Sequence, residues 1–375
     1  MRLLVVGFLM LCTGAFLDTM RGPLLTVLQG ALGFSHTAGG LFLVAASVAA
    51  ITMALSLNPL FERFGERRVA LGALGLGVVA ALSGFAVDSY PGAIVLGLLL
   101  GGAAAALGTT SNVFVIRGSR PAALGRNLCG LHAMYGAGSA AAPAVLAAVL
   151  GAGLAWPWAL AILPLLLVAV AVALMPAEDH APPATEEGGA LGGLEVLILL
   201  TMTAYVCGEV LCSLWMTSYL VETTGASTAE AAPILSGFFG SIFGIRLLAF
   251  AGLREGWEWP MLWLALALGL VGLALGLSGW PWGLALAGGM GLYFPVFLAR
   301  VSRLFPHRWR SIAVWMIAST QIGLTVMNLV MGRAADAIGL ERAYWIPLIA
   351  LVVCVVLTAA YAVAEGRMLS ARRAA

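Results

Sequence analysis

The polar stretch 176–193, PAEDHAPPATEEGGALGG, decides the fold because it divides the chain into two sets of apolar segments. It is rich in proline, glycine and glutamate, so it cannot bury a core and is predicted to be a flexible linker. Six long apolar runs precede it and six follow it. We therefore expect an N-terminal unit at 1–175 and a C-terminal unit at 194–375, each a six-helix bundle.

The composition of the 375-residue chain excludes an ordinary soluble protein, because 62% of its residues are hydrophobic and only 10% are charged. Soluble domains carry about 25% charged residues. A transmembrane helix needs about 20 apolar residues. The apolar runs that satisfy this requirement are 3–29, 38–60, 69–87, 92–116, 128–152, 157–175, 194–221, 232–252, 260–278, 283–304, 311–332 and 343–364. The predicted fold class is an all-α membrane protein with about twelve transmembrane helices in two pseudo-symmetric six-helix bundles.

The arginines predict the orientation, and the chain has no lysine. With the N-terminus in the cytoplasm, only Arg333 and Arg342 lie outside, Arg21 and Arg246 lie within spans, and the other fifteen of the 19 lie inside. We expect a multi-pass protein of the cell (inner) membrane with both termini cytoplasmic. No clustered basic face exists, so nucleic acid is not expected as a partner.

The two halves also resemble each other as repeats. Gly33-Phe34-Ser35 follows the first span, and Gly225-Ala226-Ser227 follows the seventh at an offset of 192 residues. Together with the division into six and six spans, this indicates two parallel bundles related by an axis along the membrane normal, an arrangement found in transporters.

The loop after the second span, 58–68 (NPLFERFGERR), resembles the best-known motif of the major facilitator superfamily. That motif has a glycine, an acidic-basic pair, a second glycine and a basic cluster. Asn58 replaces the first glycine here, and Glu62 replaces the usual aspartate. The resemblance implies the major facilitator fold and a latch between the bundles, formed by Glu62, Arg63, Gly65 and Arg67.

Other segments resemble the fucose/glucose permease-like branch, whose members are sugar:proton symporters. They are Gly208-Glu209 with Trp215–Leu220 in span seven, Gly244-Ile245-Arg246 in span eight and Tyr135–Gly138 in span five. The resemblance adds Arg246 to the gating residues. Two departures matter. Gly108 stands near the place of the acid that precedes the asparagine in span four, and Gly138 is not followed by the proline of the exporters' antiporter motif.

Two acids lie deep within spans, where an ionised carboxylate is expensive and usually functional. Asp18 is about 15 residues into its span, or roughly 22 Å of helix, and Glu209 has nearly the same depth in span seven. Arg21, one turn from Asp18, allows the alternative that this pair is a structural bridge. Glu209 has no basic neighbour in its own span, so we expect it to be the better proton carrier, while the family resemblance favours Asp18.

Polar and aromatic side chains within the spans predict a substrate site that offers neutral hydrogen bonds and an aromatic plate. The candidates are Asn112, Tyr205, Ser213, Trp215, Tyr219, Tyr293, Gln321, Thr325 and Asn328. The alternative is that they join helices or anchor the chain at the membrane interface.

The predicted function is secondary transport of a small polar solute, a monosaccharide or a related compound, by proton-coupled symport with alternating access. The alternatives are proton-driven efflux of amphipathic compounds and a membrane scaffold or intramembrane enzyme. No zinc-protease, Walker or nucleophile-elbow motif occurs, so we expect no enzymatic activity, cofactor or metal. The expected partners are the substrate, protons and the lipid bilayer, and the chain is expected to act as a monomer.

Overall fold

Apolar helices account for most of the chain in a computed structural model that describes residues 2–120, 124–174, 191–252, 256–305 and 308–374. The twelve long helices of the described residues are α1 (Arg2–Leu32), α2 (His36–Phe64), α3 (Glu66–Ser83), α4 (Tyr90–Gly118), α5 (Leu124–Gly151), α6 (Trp158–Leu174), α7 (Gly193–Thr224), α8 (Thr228–Gly252), α9 (Glu258–Leu277), α10 (Trp282–Leu304), α11 (Trp309–Ile338) and α12 (Ile346–Ala374).

Eleven of these described helices are long and apolar enough to cross a membrane. The remaining one, α6, has 17 residues and stands at the lower limit of a spanning length. The predicted all-α membrane fold of about twelve helices is confirmed. The linker predicted at 176–193 lies mostly outside the described residues, and Gly193 already belongs to α7. The unit boundaries therefore stay a prediction.

The predicted repeat is visible in the helix ends. Gly33 and Gly225, which lie 192 positions apart, both have positive φ, 66° and 71°, at the ends of α1 and α7. Glycine adopts this conformation without a steric penalty, so it can end both helices at the same place. The first residues of α3 and α9 repeat as well, because Glu66 and Glu258 are both buried glutamates.

Each of these glutamates is paired with arginine from the following helix of its own half. Glu66 forms an ion pair with Arg117 of α4, and Glu258 forms one with Arg303 of α10, with 2.7 Å between Oε1 and the guanidinium nitrogen. A buried carboxylate is tolerated only with such a partner. An arginine–glutamate ion pair therefore joins the third and fourth helices of each half, α3 with α4 and α9 with α10.

Glycines allow helices within a half to approach closely. A Cβ added at Gly138 of α5 would lie 2.0 Å from the carbonyl oxygen of Cys12 in α1, and one at Gly101 of α4 would lie 2.0 Å from that of Ala46 in α2. Side chains larger than hydrogen cannot occupy such positions unless the backbones move apart. Close backbone packing of this kind is a main source of helix association in lipid.

Within the described residues, the main contacts between the two halves are those of α1 with α7, α2 with α11 and α5 with α8. The first two pairs are tight near one end of the molecule. A Cβ at Gly22 would lie 3.0 Å from the carbonyl oxygen of Leu214, and one at Gly40 would lie 2.6 Å from that of Asn328. Thr26 and Ser218, again 192 residues apart, share a hydrogen bond of 2.8 Å between their hydroxyls.

We call this end the closed end; it comprises about the last three turns of α1, α7 and α11 and about the first two turns of α2. The carboxylate of Asp336 in α11 accepts hydrogen bonds from the backbone nitrogens of His36 and Thr37, at 2.9 and 2.7 Å. An acid at a helix N-terminus also interacts favourably with the helix dipole. His36 Nε2 lies 3.2 Å from Glu222 Oε1 of α7. Polar contacts thus join the halves at the closed end.

Candidate functional site

A cavity of about 290 Å³ lies between the two halves. This volume is at the lower limit of typical small-molecule sites, which begin at about 300 Å³. The cavity is lined by Leu11, Gly14, Ala15, Asp18, Arg21, Ser47, Ala50, Gly101, Ala104, Ala105, Gly108, Tyr135, Val206, Val210, Leu214, Gln321, Leu324 and Asn328. Six helices, α1, α2, α4, α5, α7 and α11, contribute to this wall, so a bound molecule would touch both halves.

Asp18 is the acidic group of this cavity, and two side chains hold it. Arg21, one turn later on α1, pairs with Oδ1 and also donates from Nε to the carbonyl oxygen of Asp18 at 2.8 Å. Tyr135 of α5 donates its hydroxyl to Oδ2 at 2.9 Å. The Asp18 side chain keeps 32% of its surface exposed, whereas Arg21 keeps 9%. The carboxylate is therefore paired and oriented, yet still accessible from the cavity.

Asn328 of α11 provides a polar group from the second half. Its Oδ1 accepts a hydrogen bond from Trp215 Nε1 at 3.2 Å, which fixes the orientation of the amide. Its Nδ2 is buried and has no hydrogen-bond partner within the described residues. A buried donor without a partner is unfavourable. Since Asn328 lines the cavity, a ligand oxygen there would supply the missing acceptor. Gln321, two turns earlier on α11, lines the same cavity.

Glu209, the second predicted acid, is not among the residues that line the cavity. It accepts a hydrogen bond from Tyr205 of its own helix and lies within electrostatic range of Arg246 in α8. As the sequence indicates, α7 itself has no basic residue, and the basic group near Glu209 comes from the neighbouring helix α8. Arg246 also donates from Nε to the carbonyl oxygen of Gly291 at 2.8 Å.

The four predicted aromatic residues are packed in the second half instead of lining the cavity. Tyr293 stacks on Tyr205 with 4.7 Å between ring centroids, and Tyr219 stacks on Tyr344 with 4.2 Å. Trp215 is fully buried and reaches the cavity only through its bond to Asn328. Aromatic pairs of this kind contribute to packing, so the structure assembles no aromatic plate from them.

The remaining polar candidates bond to their own helices. Asn112 donates from Nδ2 to the carbonyl oxygen of Gly108 at 2.8 Å. The hydroxyl of Ser213 donates to the carbonyl oxygen of Val210 at 3.0 Å, and that of Thr325 donates to the backbone carbonyl oxygen of Gln321 at 2.8 Å. Each lies within one turn of a cavity-lining residue, but none of them lines the cavity itself.

The predicted latch residues lie at the junction of α2 and α3. Gly65 has φ of 80° and ends α2. Glu62 and Arg63 are exposed, and the Arg63 guanidinium lies 5.3 Å from the ring centroid of its neighbour Phe64. Arg67 follows in the first turn of α3. In the part of the chain that is described, neither Glu62 nor Arg63 forms an ion pair with the second half, so the latch role stays a prediction.

Tyr135 lines the cavity and contacts Asp18, but the sequence candidates did not include it. It lies 117 residues from Asp18 in the chain. A tyrosine within a span is ordinarily interpreted as packing or interface anchoring. The only available signal was its position in the Tyr135–Gly138 segment, where small residues indicate close contact with another helix.

The cavity presents the carboxylate of Asp18 and the amides of Gln321 and Asn328 to a molecule that enters it. No group of three or more potential metal-ligating side chains occurs within the described residues. A paired acid in a cavity between two pseudo-symmetric halves is the arrangement of a secondary transporter.

Comparison with known proteins gives the family. The family model described as Major Facilitator Superfamily matches residues 7–314. The chain belongs to this superfamily and is one of its transporters. No curated protein sequence matches the chain.

Solved structures show the same fold at low sequence identity. The D-xylose-proton symporter has a TM-score of 0.74 and 14% identity, over 95% of this chain and 96% of that one. A mutant of the nucleoside transporter NupG has a TM-score of 0.72 and 15% identity, over 96% and 98%. A bacterial homolog of the human lysosomal transporter Spinster, inward-facing and unoccupied, has a TM-score of 0.71 and 13% identity, over 98% and 97%.

Proposed function

We propose that this transporter moves a small polar solute, a monosaccharide or related compound, together with a proton. The observation that carries the proposal is that one cavity contains both an accessible carboxylate, that of Asp18, and an amide donor without an acceptor, Asn328 Nδ2. A neutral polyhydroxylated compound has the acceptor that Asn328 needs and brings no charge of its own. The fold shared with a D-xylose-proton symporter is consistent with this substrate class and remains a likeness of fold.

Asp18 is the proton carrier in this proposal. A carrier must be reachable from the cavity so that it can exchange protons on each side of the membrane in turn. Asp18 lines the cavity, whereas Glu209 does not. Glu209 has no basic neighbour on its own helix, but Arg246 of α8 lies within electrostatic range of it. Glu209 is then a structural partner of Tyr205 and Arg246.

The orientation follows from combining the arginine bias with the closed end. With the N-terminus in the cytoplasm, α1 and α11 end outside, so the closed end faces outward. The halves are joined there by Thr26–Ser218, Asp336 and His36–Glu222. We therefore assign the structure to a state in which the cavity is sealed from outside, in the inner membrane and with both termini cytoplasmic.

Proton-driven efflux of amphipathic compounds is the second candidate. The observation that favours it is the wall of the cavity, which consists mainly of leucine, valine, alanine and glycine. Apolar walls bind amphipathic molecules with little need for specific hydrogen bonds. Symport of a polar solute and efflux of amphipathic compounds differ in two respects: which ligand atom accepts a hydrogen bond from Asn328, and whether net transport is into or out of the cell.

The test is a thermal-shift screen of the purified protein against sugars, polyols, nucleosides, amino acids and amphipathic drugs. A ligand at about 100 times its Kd stabilises the folded state by about 2.7 kcal/mol. We expect a neutral polyhydroxylated compound to raise the melting temperature, and its uptake into liposomes to increase with an inward proton gradient. Stabilisation by amphipathic compounds alone, with their proton-driven extrusion, would support the second candidate instead.

A further inference from the structure

A second cavity, of about 350 Å³, lies in a groove between α2 and α3, with Ala106 of α4 at its floor. It shares no lining residue with the central cavity. Its wall is apolar apart from Arg68, which lies in the first turn of α3 and is exposed. Nothing in the transport proposal uses this groove.

The groove has the dimensions of one membrane leaflet. Along α3 its lining runs from Arg68 to Leu76, about 12 Å of helix, and along α2 from Phe64 to Met53, about 16 Å. Half of a bilayer's hydrocarbon core of about 30 Å is about 15 Å. Since Arg68 is at a helix end, the groove extends inward from the level of the lipid headgroups to near the middle of the membrane.

Positive charge is concentrated at the headgroup end of the groove. Arg68 lines it directly, and the Arg63 guanidinium lies over the ring of Phe64, which also lines it. Neither arginine forms an ion pair with an acid in the described part of the chain. Arginine binds phosphate oxygens through two parallel hydrogen bonds. The complementary ligand has an anionic phosphate at one end and an apolar chain that follows the groove.

We propose that the α2–α3 groove is a binding site for one anionic phospholipid. Its phosphate is bound by Arg68, with Arg63 adding a second positive charge, and one acyl chain lies between α2 and α3 over Ala106. Because the groove ends at the residues predicted to form the latch, a bound lipid also occupies the space beside Phe64, next to Glu62 and Arg63.

The test measures lipid binding to the purified full chain by native mass spectrometry. The probes are dioleoyl phosphatidylglycerol and dioleoyl phosphatidylcholine, which have the same acyl chains and differ in net charge. We expect preferential binding of phosphatidylglycerol to the wild type. Arg68→Gln should lower its affinity about fivefold, the effect of one basic residue at an anionic surface, and lower that of phosphatidylcholine less, because the choline cation offsets the charge of its phosphate. Arg367→Gln, which removes another exposed arginine outside the groove, is the matched control.

A second pair of variants tests the groove itself. A side chain at Gly72 has open space around it and would fill the groove, so Gly72→Leu should reduce binding of both lipids. Gly75 also has open space but does not line the groove, so Gly75→Leu should bind like the wild type. The proposal would be overturned if Gly72→Leu and Gly75→Leu changed lipid binding equally. It would also be overturned if Arg68→Gln and Arg367→Gln changed phosphatidylglycerol binding equally.

Discussion

Asp18 combines two properties that a purely structural ion pair does not need. Arg21 and Tyr135 satisfy both of its carboxylate oxygens, yet 32% of its side chain remains exposed. Within a membrane, an ionised group without partners would be expensive, and a fully enclosed pair would be inaccessible to protons. The geometry at Asp18 meets both requirements, because the partners approach from α1 and α5 and leave the cavity side free.

Tyr135→Phe tests the contribution of α5 to this site. The change removes the hydroxyl that donates to Asp18 Oδ2 and retains the ring. A hydrogen bond to a charged group contributes about 1.5–3 kcal/mol, so we expect transport to become about tenfold less efficient and its pH dependence to shift. The initial rate of uptake as a function of pH measures this.

Tyr90→Phe is the matched control for this variant, because its hydroxyl donates to the carbonyl oxygen of Ala38 at 2.9 Å, away from the cavity. It should leave the pH profile unchanged. Identical profiles for Tyr135→Phe and the wild type would show that Tyr135 is not part of the proton site.

The helix ends determine how the halves join. Asp336 at the end of α11 accepts hydrogen bonds from the first residues of α2, and it is a carboxylate placed at the positive end of a helix dipole. The interaction spans 300 residues of sequence and links the two halves. A movement that opens the closed end must break it, so it stabilises the closed arrangement.

Asp336→Asn should favour opening of the closed end, because the amide has no charge to interact with the dipole of α2. An interaction of about 0.3–1 kcal/mol corresponds to a shift of about two- to fivefold in the equilibrium. The measurement is the rate at which an impermeant thiol reagent labels Ser218→Cys, in a chain whose native cysteines are replaced by alanine. Ser218 is buried between the halves.

Glu341→Gln serves as the control for the closed end, since Glu341 is an exposed acid just after α11 and makes no hydrogen bond to α2 in the described chain. It should not change the labelling rate. If Asp336→Asn and Glu341→Gln label at the same rate, the contact does not hold the closed end together.

Close helix packing gives a separate prediction at the same scale. Gly138→Ala places a Cβ against the carbonyl oxygen of Cys12 and forces α1 and α5 apart. Overpacking of this kind costs about 1–3 kcal/mol, so the melting temperature should fall. Gly240→Ala has open space in the middle of α8 and should instead raise stability by about 0.5–1 kcal/mol. In a thermal melt, a lower melting temperature for Gly138→Ala and a higher one for Gly240→Ala would support close packing at Gly138. Equal changes in melting temperature for the two variants would contradict it.

At the scale of the whole molecule, the repeat explains why the contact between halves is centred on α1 and α7. Thr26 and Ser218 are equivalent positions of the two repeats and bond to each other. Equivalent residues can touch only near the axis that relates the halves. The central cavity lies beside this axis, which gives both halves access to a bound molecule.

The sequence predicts the helices and the repeat well, because both depend on local apolar length and on the Gly33 and Gly225 turns. It also singles out Asp18, which lines the cavity, since an acid deep in a span is rarely incidental; its role stays a prediction. It does not predict that Tyr135 contacts Asp18 or that Arg246 lies near Glu209. Those contacts depend on how each helix is rotated and which helices pack together, information that no single span contains.

The central claim, that Asp18 couples solute movement to a proton, is tested most directly in liposomes with the solute identified by the thermal-shift screen. Two assays are compared for Asp18→Asn and Glu209→Gln: accumulation driven by a proton gradient, and counterflow of labelled solute without one. We predict that Asp18→Asn keeps counterflow and loses proton-driven accumulation, whereas Glu209→Gln keeps both. Accumulation of the solute against its gradient by Asp18→Asn, driven by protons, would contradict the account.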